Sequence, residues 1–253
     1  MPATEDGALP TFTAVNRRPP PGGARRLWQQ ARVVEIRRET PRAVTVRLEL
    51  PRWVAHTPGQ HYVVRLTAPD GYQAQRSYSA ASPPGDEPFL ELTVERLADG
   101  EVSSYLHDGL VAGDSLEVRG PFGGWFTWRG ERAALLVGGG SGVVPLMAMV
   151  RHRRREQLTV PLRLVVSTRS PEELLYAGEY GEESTVVYTR VLPPRWARPP
   201  GRLSADDLAP LLIPGATAYV CGSSGFAEHA SQLLVSLGQP AADVRVERFG
   251  PSA

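Results

Sequence analysis

The segment AALLVGGGSGVVP, residues 133–145, decides the fold of this chain. Its first half is an aliphatic run with the length of a buried β-strand, and the apolar run that resumes at Val143 predicts a helix. The turn between them is glycine at every position except Ser141. A buried strand, a glycine-rich turn and a helix in direct succession are typical of a parallel sheet that binds a nucleotide at its carboxyl edge. The spacing departs from G-x-G-x-x-G, because Val143 takes the place of the third glycine, and a turn without a ligand is the alternative.

The alternation of strands and helices continues to the C-terminus. Further strands are predicted from the runs LRLVVS, TVVYTRV, ATAYVCG and VRVERF, at residues 162–167, 185–191, 216–222 and 244–249. Helices are predicted at 143–151, from Ser170 onward, at 204–212 and at 226–237. In the second of these, Ser170 suits the N-cap and Pro171 the first helical position. The pattern predicts a doubly wound parallel sheet over residues 131–253.

The preceding part of the chain, residues 29–130, has a different pattern. Short β-rich runs such as AVTVRLEL (43–50) and FLELTVER (89–96) alternate with turn sequences rich in proline, glycine and aspartate. This pattern predicts a small antiparallel Greek-key barrel with one short helix at 103–107, and a boundary near 128–132. Residues 1–28 are rich in proline and arginine and predict a flexible arm.

The run Arg76-Ser77-Tyr78-Ser79 lies on a predicted strand of the barrel. Side chains alternate along a strand, so Arg76 and Tyr78 share one face. A guanidinium can hold phosphate through paired hydrogen bonds, and a tyrosine ring can stack on a flat ring system. This combination suits a flavin nucleotide, although R-x-Y-S also occurs by chance.

The segment GEVSS, residues 100–104, is a candidate phosphate site. Gly100 allows close backbone approach, and the hydroxyls of Ser103 and Ser104 stand beside the free N–H groups of a helix start. An ordinary serine-capped helix is the alternative. Because this segment follows R-x-Y-S in the same barrel, it favours the dinucleotide FAD over FMN, a choice that stays open.

Arginines near the ends of the predicted strands bear on the choice of nicotinamide nucleotide. Ser167-Thr168-Arg169 closes the second strand, where an acidic residue would bind the ribose of NADH and an arginine suits the 2′-phosphate of NADPH. Arg190 and Arg202 are further candidates, although any one of the three can be an ordinary surface residue. Together they favour NADPH over NADH.

The last two predicted strands end in Cys221-Gly222 and in Glu247-Arg248-Phe249-Gly250. Cys221 is expected at the carboxyl edge of the sheet, where ligands bind, or is simply a small buried residue. Phe249 either covers a ring or packs as an ordinary strand residue.

The motifs R-x-Y-S, G-x-V-S, G-G-G-S-G-x-x-P, V-C-G and E-R-F-G occur in this order, and with them residues 30–253 resemble the ferredoxin–NADP(+) reductase family. The chain looks most like bacterial stand-alone flavoprotein reductases and the reductase components of oxygenases. The resemblance implies an enzyme with FAD and NADPH that passes electrons to a ferredoxin, a flavodoxin or an oxygenase component. A reductase of free flavin and a non-catalytic flavin-binding relay are the alternatives.

The resemblance also implies roles for individual residues. Flavin contacts would come from Arg76, Tyr78, Ser79, Gly100, Val102, Ser103, Ser104 and Phe249, with Ser79 near N5. NADPH contacts would come from Gly139, Gly140, Ser141, Pro145, Ser167, Arg169, Arg190, Arg202, Cys221 and Gly222. Hydride transfer would involve Ser79, Cys221, Glu247 and Phe249. Plant-type members end at a terminal tyrosine, whereas residues 250–253 continue past Phe249 here, which puts the gating of the nicotinamide in doubt.

Composition excludes several other classes. A net charge of +1 provides no general attraction for nucleic acid or for a membrane surface. The single cysteine excludes an internal disulfide and any cluster held by several thiolates, including that of a plant-type ferredoxin domain. The five histidines lack metal-ligand spacing, so no metal site is expected. The acidic, proline-containing start has no signal-peptide pattern, and we expect a cytoplasmic monomer.

The basic run at residues 151–155, RHRRR, follows the first predicted helix of the second half. It suits the negative end of the helix dipole. Docking of an acidic electron carrier is the alternative.

Overall fold

The computed structural model describes residues 27–250. The predicted arm falls almost entirely on residues 1–26, and the tail beyond Gly250 on 251–253, so both lie outside the described residues. None of the helices within residues 27–250 has the length and apolar character needed to cross a bilayer.

The first part of the chain forms a six-stranded antiparallel barrel. Its strands are β1 (Gln29–Thr40), β2 (Ala43–Glu49), β3 (His61–Thr67), β4 (Gln73–Ser79), β5 (Phe89–Glu95) and β6 (Ser115–Phe122). Their spatial order is β4-β3-β6-β1-β2-β5, and a bridge between Ala80 and Leu92 brings the end of β4 to β5. Alternate side chains fill the interior; in β3 these are Tyr62, Val64 and Leu66.

The helix of the barrel begins earlier than predicted. It is the single turn α1 (Glu101–Ser104), followed by a wider helical turn at Tyr105–Gly109. Val102 and Leu106, four residues apart, lie on one side of this segment and pack into the barrel core. The segment therefore closes one end of the barrel.

The second part of the chain forms a five-stranded parallel sheet. Its strands are β7 (Ala134–Gly139), β8 (Leu162–Thr168), β9 (Ser184–Tyr188), β10 (Thr217–Ser223) and β11 (Val244–Phe249), in the order β11-β10-β7-β8-β9. The direction of winding reverses between β7 and β10, which is where sheets of this kind bind ligands. Residues 123–133 join the two sheets, and we propose that the domain boundary lies at 128–132 within this segment.

Helices cover both faces of the parallel sheet. They are α2 (Val143–Arg155), α3 (Ala205–Leu208) and α4 (Ser224–Ser236). Leu136 of β7 belongs to the apolar cluster under α2, whereas Leu135 and Val137 belong to the cluster under α4. This alternation within one aliphatic strand explains why the whole run is apolar, since both of its faces are buried.

The helix predicted from Ser170 is wrong. Only a 3-10 turn forms at Pro171–Glu173, and the chain then crosses toward the barrel without a helix before β9. Tyr176 is buried there with φ of +57°, and its hydroxyl donates to Thr93 Oγ1 of the barrel at 2.6 Å. The contact of Tyr176 with the barrel outweighs the helix-start signal of Ser170 and Pro171. The glycines at 178 and 181 also make a helix over this segment unfavourable.

The other predicted helices are found with shifted ends. α2 continues to Arg155 instead of stopping at 151, and α4 begins at Ser224 because Ser223 accepts a hydrogen bond from the Phe226 N–H. α3 covers less than the predicted 204–212, and a 3-10 turn at Ala209–Leu211 follows it. Its start is fixed by Ser204, whose N–H donates to Asp207 Oδ2 at 2.8 Å.

Candidate nucleotide-binding cleft

A cleft of about 630 Å³ lies between the barrel and the carboxyl edge of the parallel sheet. The turn between β7 and α2 forms one wall, with Gly139, Gly140 and Ser141 facing the cleft. The barrel forms the opposite wall. Its contributions come from the ends of β1, β2 and β5 and are Thr40, Arg42, Ala43 and Glu95. The volume is of the size that binds a ligand such as a nucleotide.

Most of the residues predicted to bind NADPH line this cleft. They are Gly139, Gly140, Ser141, Ser167, Arg169, Arg190 and Arg202, and Phe249 lies at the same cleft. Three predicted residues do not line it: Pro145, Cys221 and Gly222 are buried behind its wall. Pro145 lies in the first turn of α2 and faces the core, while Gly222 packs so closely on Phe226 that a Cβ would be 2.5 Å from the ring.

The glycine-rich turn lets β7, α2 and β10 approach one another. A Cβ on Gly142 would lie 2.1 Å from the carbonyl oxygen of Cys221, so only glycine fits at this position. A Cβ on Gly139 would likewise lie 2.6 Å from the ring of Phe226. The turn is therefore shaped by packing against β10 and α4, and it leaves main-chain groups of residues 139–141 at the cleft.

The arginines of the cleft differ in their partners. Arg169 lies 3.6 Å from Glu173, another cleft residue, so part of its charge is already compensated. Arg190 and Arg202 have exposed side chains with no ion-pair partner among residues 27–250. Unpaired guanidinium groups at a nucleotide cleft are the groups best suited to a phosphate.

Apart from Phe249, the residues predicted to contact the flavin lie on the barrel, and they do not line this cleft. Arg76 is exposed on β4, and its Nη1 donates to the Gln75 carbonyl at 2.7 Å. Tyr78 packs against the barrel core, where burial raises the pKa of its hydroxyl. Ser79 ends β4 and is half-buried. The pairing of Tyr78 and Phe249 around one ring stays a prediction.

The start of α1 is arranged differently from the expectation. Ser103 Oγ donates to the Gly100 carbonyl at 3.1 Å and accepts from the Leu97 N–H at 3.2 Å, and Ser104 Oγ donates to the Leu97 carbonyl at 3.3 Å. Both hydroxyls are thus engaged, and Val102 points into the core. The donors left for a phosphate are the N–H groups of the first turn. No ion pair engages Arg76 among residues 27–250, and its guanidinium, those N–H groups and the ring of Tyr78 are groups of the kind that suit a flavin nucleotide.

Cys221 and Glu247 are paired in register on neighbouring strands β10 and β11. Cys221 is 2% exposed, and burial together with the nearby Glu247 carboxylate raises the pKa of its thiol well above the ordinary value. Burial also raises the pKa of Glu247 to about 7. At neutral pH the thiol is therefore protonated, and Glu247 is able to take up or release a proton. Phe249, two residues further along β11, is 38% exposed at the cleft.

The sequence patterns did not indicate the barrel wall of the cleft. Arg42 lies in the tight turn between β1 and β2, and Glu95 ends β5. Nothing local shows that these two strand ends face the parallel sheet. Glu173 and Leu175 were missed for a different reason, because their segment was assigned to a helix. No group of three or more histidine, cysteine, aspartate or glutamate side chains in the described part is arranged to hold a metal ion.

Two sequence profiles of known domains match the chain. The oxidoreductase FAD-binding domain matches residues 30–127, and the oxidoreductase NAD-binding domain matches residues 136–232. These two ranges coincide with the barrel and with most of the parallel-sheet unit.

Similar proteins are reductase components of oxygenase systems. The ferredoxin reductase component of 3-ketosteroid-9-alpha-monooxygenase from Rhodococcus rhodochrous is 30% identical over 204 residues, which cover 79% of this chain and 58% of that protein. The glycine betaine monooxygenase reductase subunit of Chromohalobacter salexigens is 30% identical over 212 residues, 76% of this chain and 56% of that protein. The chain thus spans little more than half the length of these curated relatives.

Solved structures share the fold at lower identity. The flavohem-like FAD/NAD-binding domain of nitric oxide dioxygenase from Vibrio cholerae superposes with a TM-score of 0.78 and 24% identity, covering 88% of this chain and 98% of that one. Phthalate dioxygenase reductase superposes with a TM-score of 0.70 and 20% identity, covering 89% and 69%. With an FAD-binding barrel, an NAD-binding parallel sheet and the motifs of both in order, the chain belongs to the ferredoxin–NADP(+) reductase family.

Proposed function

We propose that this protein is an FAD-dependent oxidoreductase that takes hydride from NADPH and passes electrons to a separate redox protein. The observation that carries the proposal is the cleft between the two sheets, which combines the Gly139–Ser141 turn with the unpaired arginines Arg190 and Arg202. When bound, FAD supplies the capacity to accept two electrons from a nicotinamide and to release them one at a time. The chain supplies binding, orientation and control of protons.

On the barrel, three features would hold FAD. Arg76 offers an exposed guanidinium for a phosphate, and Tyr78 offers a ring seated on the core. The first turn of α1 offers main-chain N–H groups for the pyrophosphate. Ser79 follows Tyr78 directly, where its hydroxyl would reach the edge of the flavin ring.

In the cleft, the residues separate into two groups by their chemistry. The turn at 139–141 would bind the pyrophosphate of the nicotinamide nucleotide, and Arg190 and Arg202 would bind the 2′-phosphate. Glu173 holds Arg169, so we expect Arg169 to contribute less to discrimination than the other two. Glu247, whose pKa is raised to about 7, would hold the proton nearest to the site of transfer.

Anaerobic mixing with NADPH tests the activity. The FAD-loaded protein should be isolated yellow, keep its flavin through gel filtration, and lose its flavin absorbance when NADPH is added. Loss of flavin during filtration together with reduction of added riboflavin would indicate a free-flavin reductase instead. Retained flavin that neither NADPH nor NADH bleaches would indicate a relay without nucleotide oxidation.

Substitution of the two unpaired arginines tests the nucleotide choice. The Arg190→Gln/Arg202→Gln double variant should bind NADP(+) at least about tenfold more weakly, the loss expected for one charged hydrogen bond, with NAD(+) binding unchanged. Arg163→Gln is the matched control, because Arg163 is exposed on β8 and lies outside the cleft. An equal loss of affinity for NADP(+) and NAD(+) would show that the two arginines do not recognise the 2′-phosphate.

We further propose that the acceptor is a ferredoxin, a flavodoxin or an oxygenase component, and that the reductase acts as a monomer in the cytoplasm. The support for the acceptor is the set of relatives, which are named as reductase components of oxygenase systems. NADPH-dependent reduction of purified ferredoxin and flavodoxin, followed by absorbance, distinguishes the carriers. Sedimentation velocity measures the oligomeric state.

A further inference from the structure

Arg151, in the second half of α2, lies partly buried at the seam between the parallel sheet and the barrel. Its Nη1 donates to the carbonyl oxygen of Ala81 on the barrel at 2.8 Å and lies 3.5 Å from the Glu91 carboxylate of β5. Its other nitrogens hold Glu179 at 2.9 and 2.5 Å, and its guanidinium lies 4.7 Å from the centre of the Tyr176 ring. The Arg151 side chain is only 13% exposed. One guanidinium thus joins three separate segments of the chain.

Tyr176 extends the same network into the barrel. Its hydroxyl donates to Thr93 Oγ1 of β5 at 2.6 Å, and Thr93 Oγ1 lies 2.7 Å from Thr45 Oγ1 of β2. Thr45 in turn donates to Glu39 Oε1 of β1 at 2.7 Å. These hydroxyls form one directed chain, in which each donates a single proton to the next oxygen. Tyr176 has a positive φ of 57°, a backbone conformation that residues other than glycine rarely adopt.

Both walls of the cleft are attached to this network. On the sheet side, α2 begins at the glycine-rich turn, and Leu175, the neighbour of Tyr176, lines the cleft. On the barrel side, Thr40 and Glu95 line the cleft and lie on the same strands as Glu39 and Thr93. Two domains in one chain move relative to each other unless their interface is large and well packed. Separating the walls would break the hydrogen bond from Arg151 to the Ala81 carbonyl and its contact with Glu91, and it would leave the Arg151 guanidinium with Glu179 as its remaining carboxylate partner. Losing a hydrogen bond and a charge contact of a largely buried group opposes that motion.

We propose that Arg151 and Tyr176 are positioning residues that form an interdomain clasp, defined as Arg151, Tyr176, Glu179, Thr93 and Glu91. The clasp fixes the parallel sheet against the barrel and so sets how closely the nicotinamide approaches the flavin; this rests on the proposed function. Arginines of the basic run at 151–155 have partners within the described part of the chain. Arg151 is engaged in the clasp, Arg154 pairs with Glu183 at 2.5 Å, and Arg155 donates to the carbonyl of Gly85 on the barrel.

Two variants and two matched controls test the clasp. Arg151→Gln removes the cation, and Tyr176→Phe removes only the hydroxyl that reaches Thr93. Arg154→Gln is the control for the first. Arg154 lies on the same helix as Arg151 and also pairs with a glutamate, but its partner Glu183 belongs to the parallel-sheet unit. Tyr180→Phe is the control for the second, because the Tyr180 hydroxyl donates to the Leu175 carbonyl at 2.6 Å without reaching the barrel.

Stopped-flow reduction of the FAD-loaded proteins gives the first measurement. At saturating NADPH, the rate of flavin reduction in Arg151→Gln should fall at least about tenfold, because misplacement by about 1 Å can cost up to about a hundredfold. Tyr176→Phe should lose about threefold or more, within the same principle, and the NADPH dissociation constant should stay within about twofold of wild type in both. The controls should keep the wild-type rate. A rise in the dissociation constant at unchanged rate would overturn the positioning role.

Two further measurements do not depend on turnover. The long-wavelength charge-transfer absorbance of oxidised FAD-loaded protein with NADP(+) reports stacking of the two rings, and it should weaken in both clasp variants. Small-angle X-ray scattering without nucleotide should show a larger radius of gyration for Arg151→Gln than for Arg154→Gln. Wild-type absorbance and wild-type dimensions in both clasp variants would reject the clasp.

The experiments still distinguish a failure of the clasp from a failure of the proposed function when one variant or one measurement gives no result. If Arg151→Gln does not fold, Tyr176→Phe decides the question, because it retains every charge of the clasp. If NADPH does not reduce the wild-type flavin, the proposed function is wrong, and the scattering comparison still tests the clasp on its own. If the wild type is reduced and the clasp variants match their controls, the clasp is wrong and the function stands.

Discussion

Glu247 and Cys221 face each other across β10 and β11, and burial favours the protonated form of both. A carboxyl with a pKa of about 7 and a thiol that stays neutral form a site that handles protons without presenting a nucleophile. Their role can be examined without the flavin, because the raised pKa also changes the stability of the fold.

Glu247→Gln should abolish one component of the pH dependence of stability. Between about pH 4.5 and 7 the unfolded chain ionises Glu247 while the folded chain keeps its proton, so the free energy of unfolding falls as the pH rises through this window. The difference in the free energy of unfolding between Glu247→Gln and wild type should shift by about 2 kcal/mol in favour of the variant from pH 4 to pH 8. This value is smaller than the full pKa difference would give, because the side chain is only partly buried and solvent screens it. Urea unfolding of both proteins measures the difference. A difference in the free energy of unfolding between the two proteins that stays constant with pH would contradict the raised pKa of Glu247.

Phe249→Ala tests whether this exposed ring covers the nicotinamide position. Phe249 lies at the cleft that the glycine-rich turn also lines, so a nicotinamide that stacks at the Phe249 position must displace its ring. Removing the ring should tighten NADP(+) binding about three- to tenfold, the equivalent of one stacking contact, and reduce the preference for NADPH over NADH. Wild-type binding and wild-type kinetics for both nucleotides would remove the gating role.

At the scale of elements, the turn from β7 to α2 shows how packing constrains sequence. Four of its five residues are glycine, yet only some are required by close contact. Gly142 faces the main chain of β10, whereas Gly225 in the first turn of α4 has open space around it. The two positions are both helix starts at the same edge of the sheet, so they form a matched pair.

Gly142→Ala should destabilise the fold by about 1–3 kcal/mol, because a methyl group 2.1 Å from the Cys221 carbonyl forces the strand and helix apart. Gly225→Ala should be neutral or stabilise by about 0.4–1 kcal/mol, since alanine restricts the unfolded chain and meets nothing in the helix. Thermal unfolding without nucleotide measures both. Equal destabilisation of the two variants would show that the contact at Gly142 is unimportant.

The segment after β8 shows where local signals fail. Ser170 and Pro171 are good helix-start residues, but the following chain does not continue a helix. It buries Leu174, Leu175 and Tyr176 in the apolar cluster under α2, which also includes Ala43 and Ala81 of the barrel. An apolar segment packed between two sheets must present buried side chains in more than one direction, so that it contacts both sheets. A single helical stripe cannot provide that arrangement.

At the scale of the whole molecule, the seam decides whether the two sheets behave as one unit. Ala43 and Ala81 of the barrel belong to the same apolar cluster as α2, and the clasp lies beside them. The FAD-loaded wild type should therefore unfold in one calorimetric transition. Arg151→Gln should broaden or split that transition, because it removes the cation that pairs with Glu179 and the strong donor that Arg151 provides to the barrel at Ala81. Arg154→Gln should not. A single sharp transition in Arg151→Gln would show that other contacts couple the sheets.

The sequence by itself determined the two kinds of sheet, their order and most of the nucleotide-binding edge. Alternation of period two, aliphatic strands and glycine turns are local properties, and they are sufficient to place Gly139, Ser141, Arg190 and Arg202 at this edge. The tertiary structure alone decided the barrel wall of the cleft, the clasp at Arg151 and the proton affinity of Glu247. Each of these depends on which distant surface is brought against a residue, and docking and desolvation leave no periodic signal in the chain.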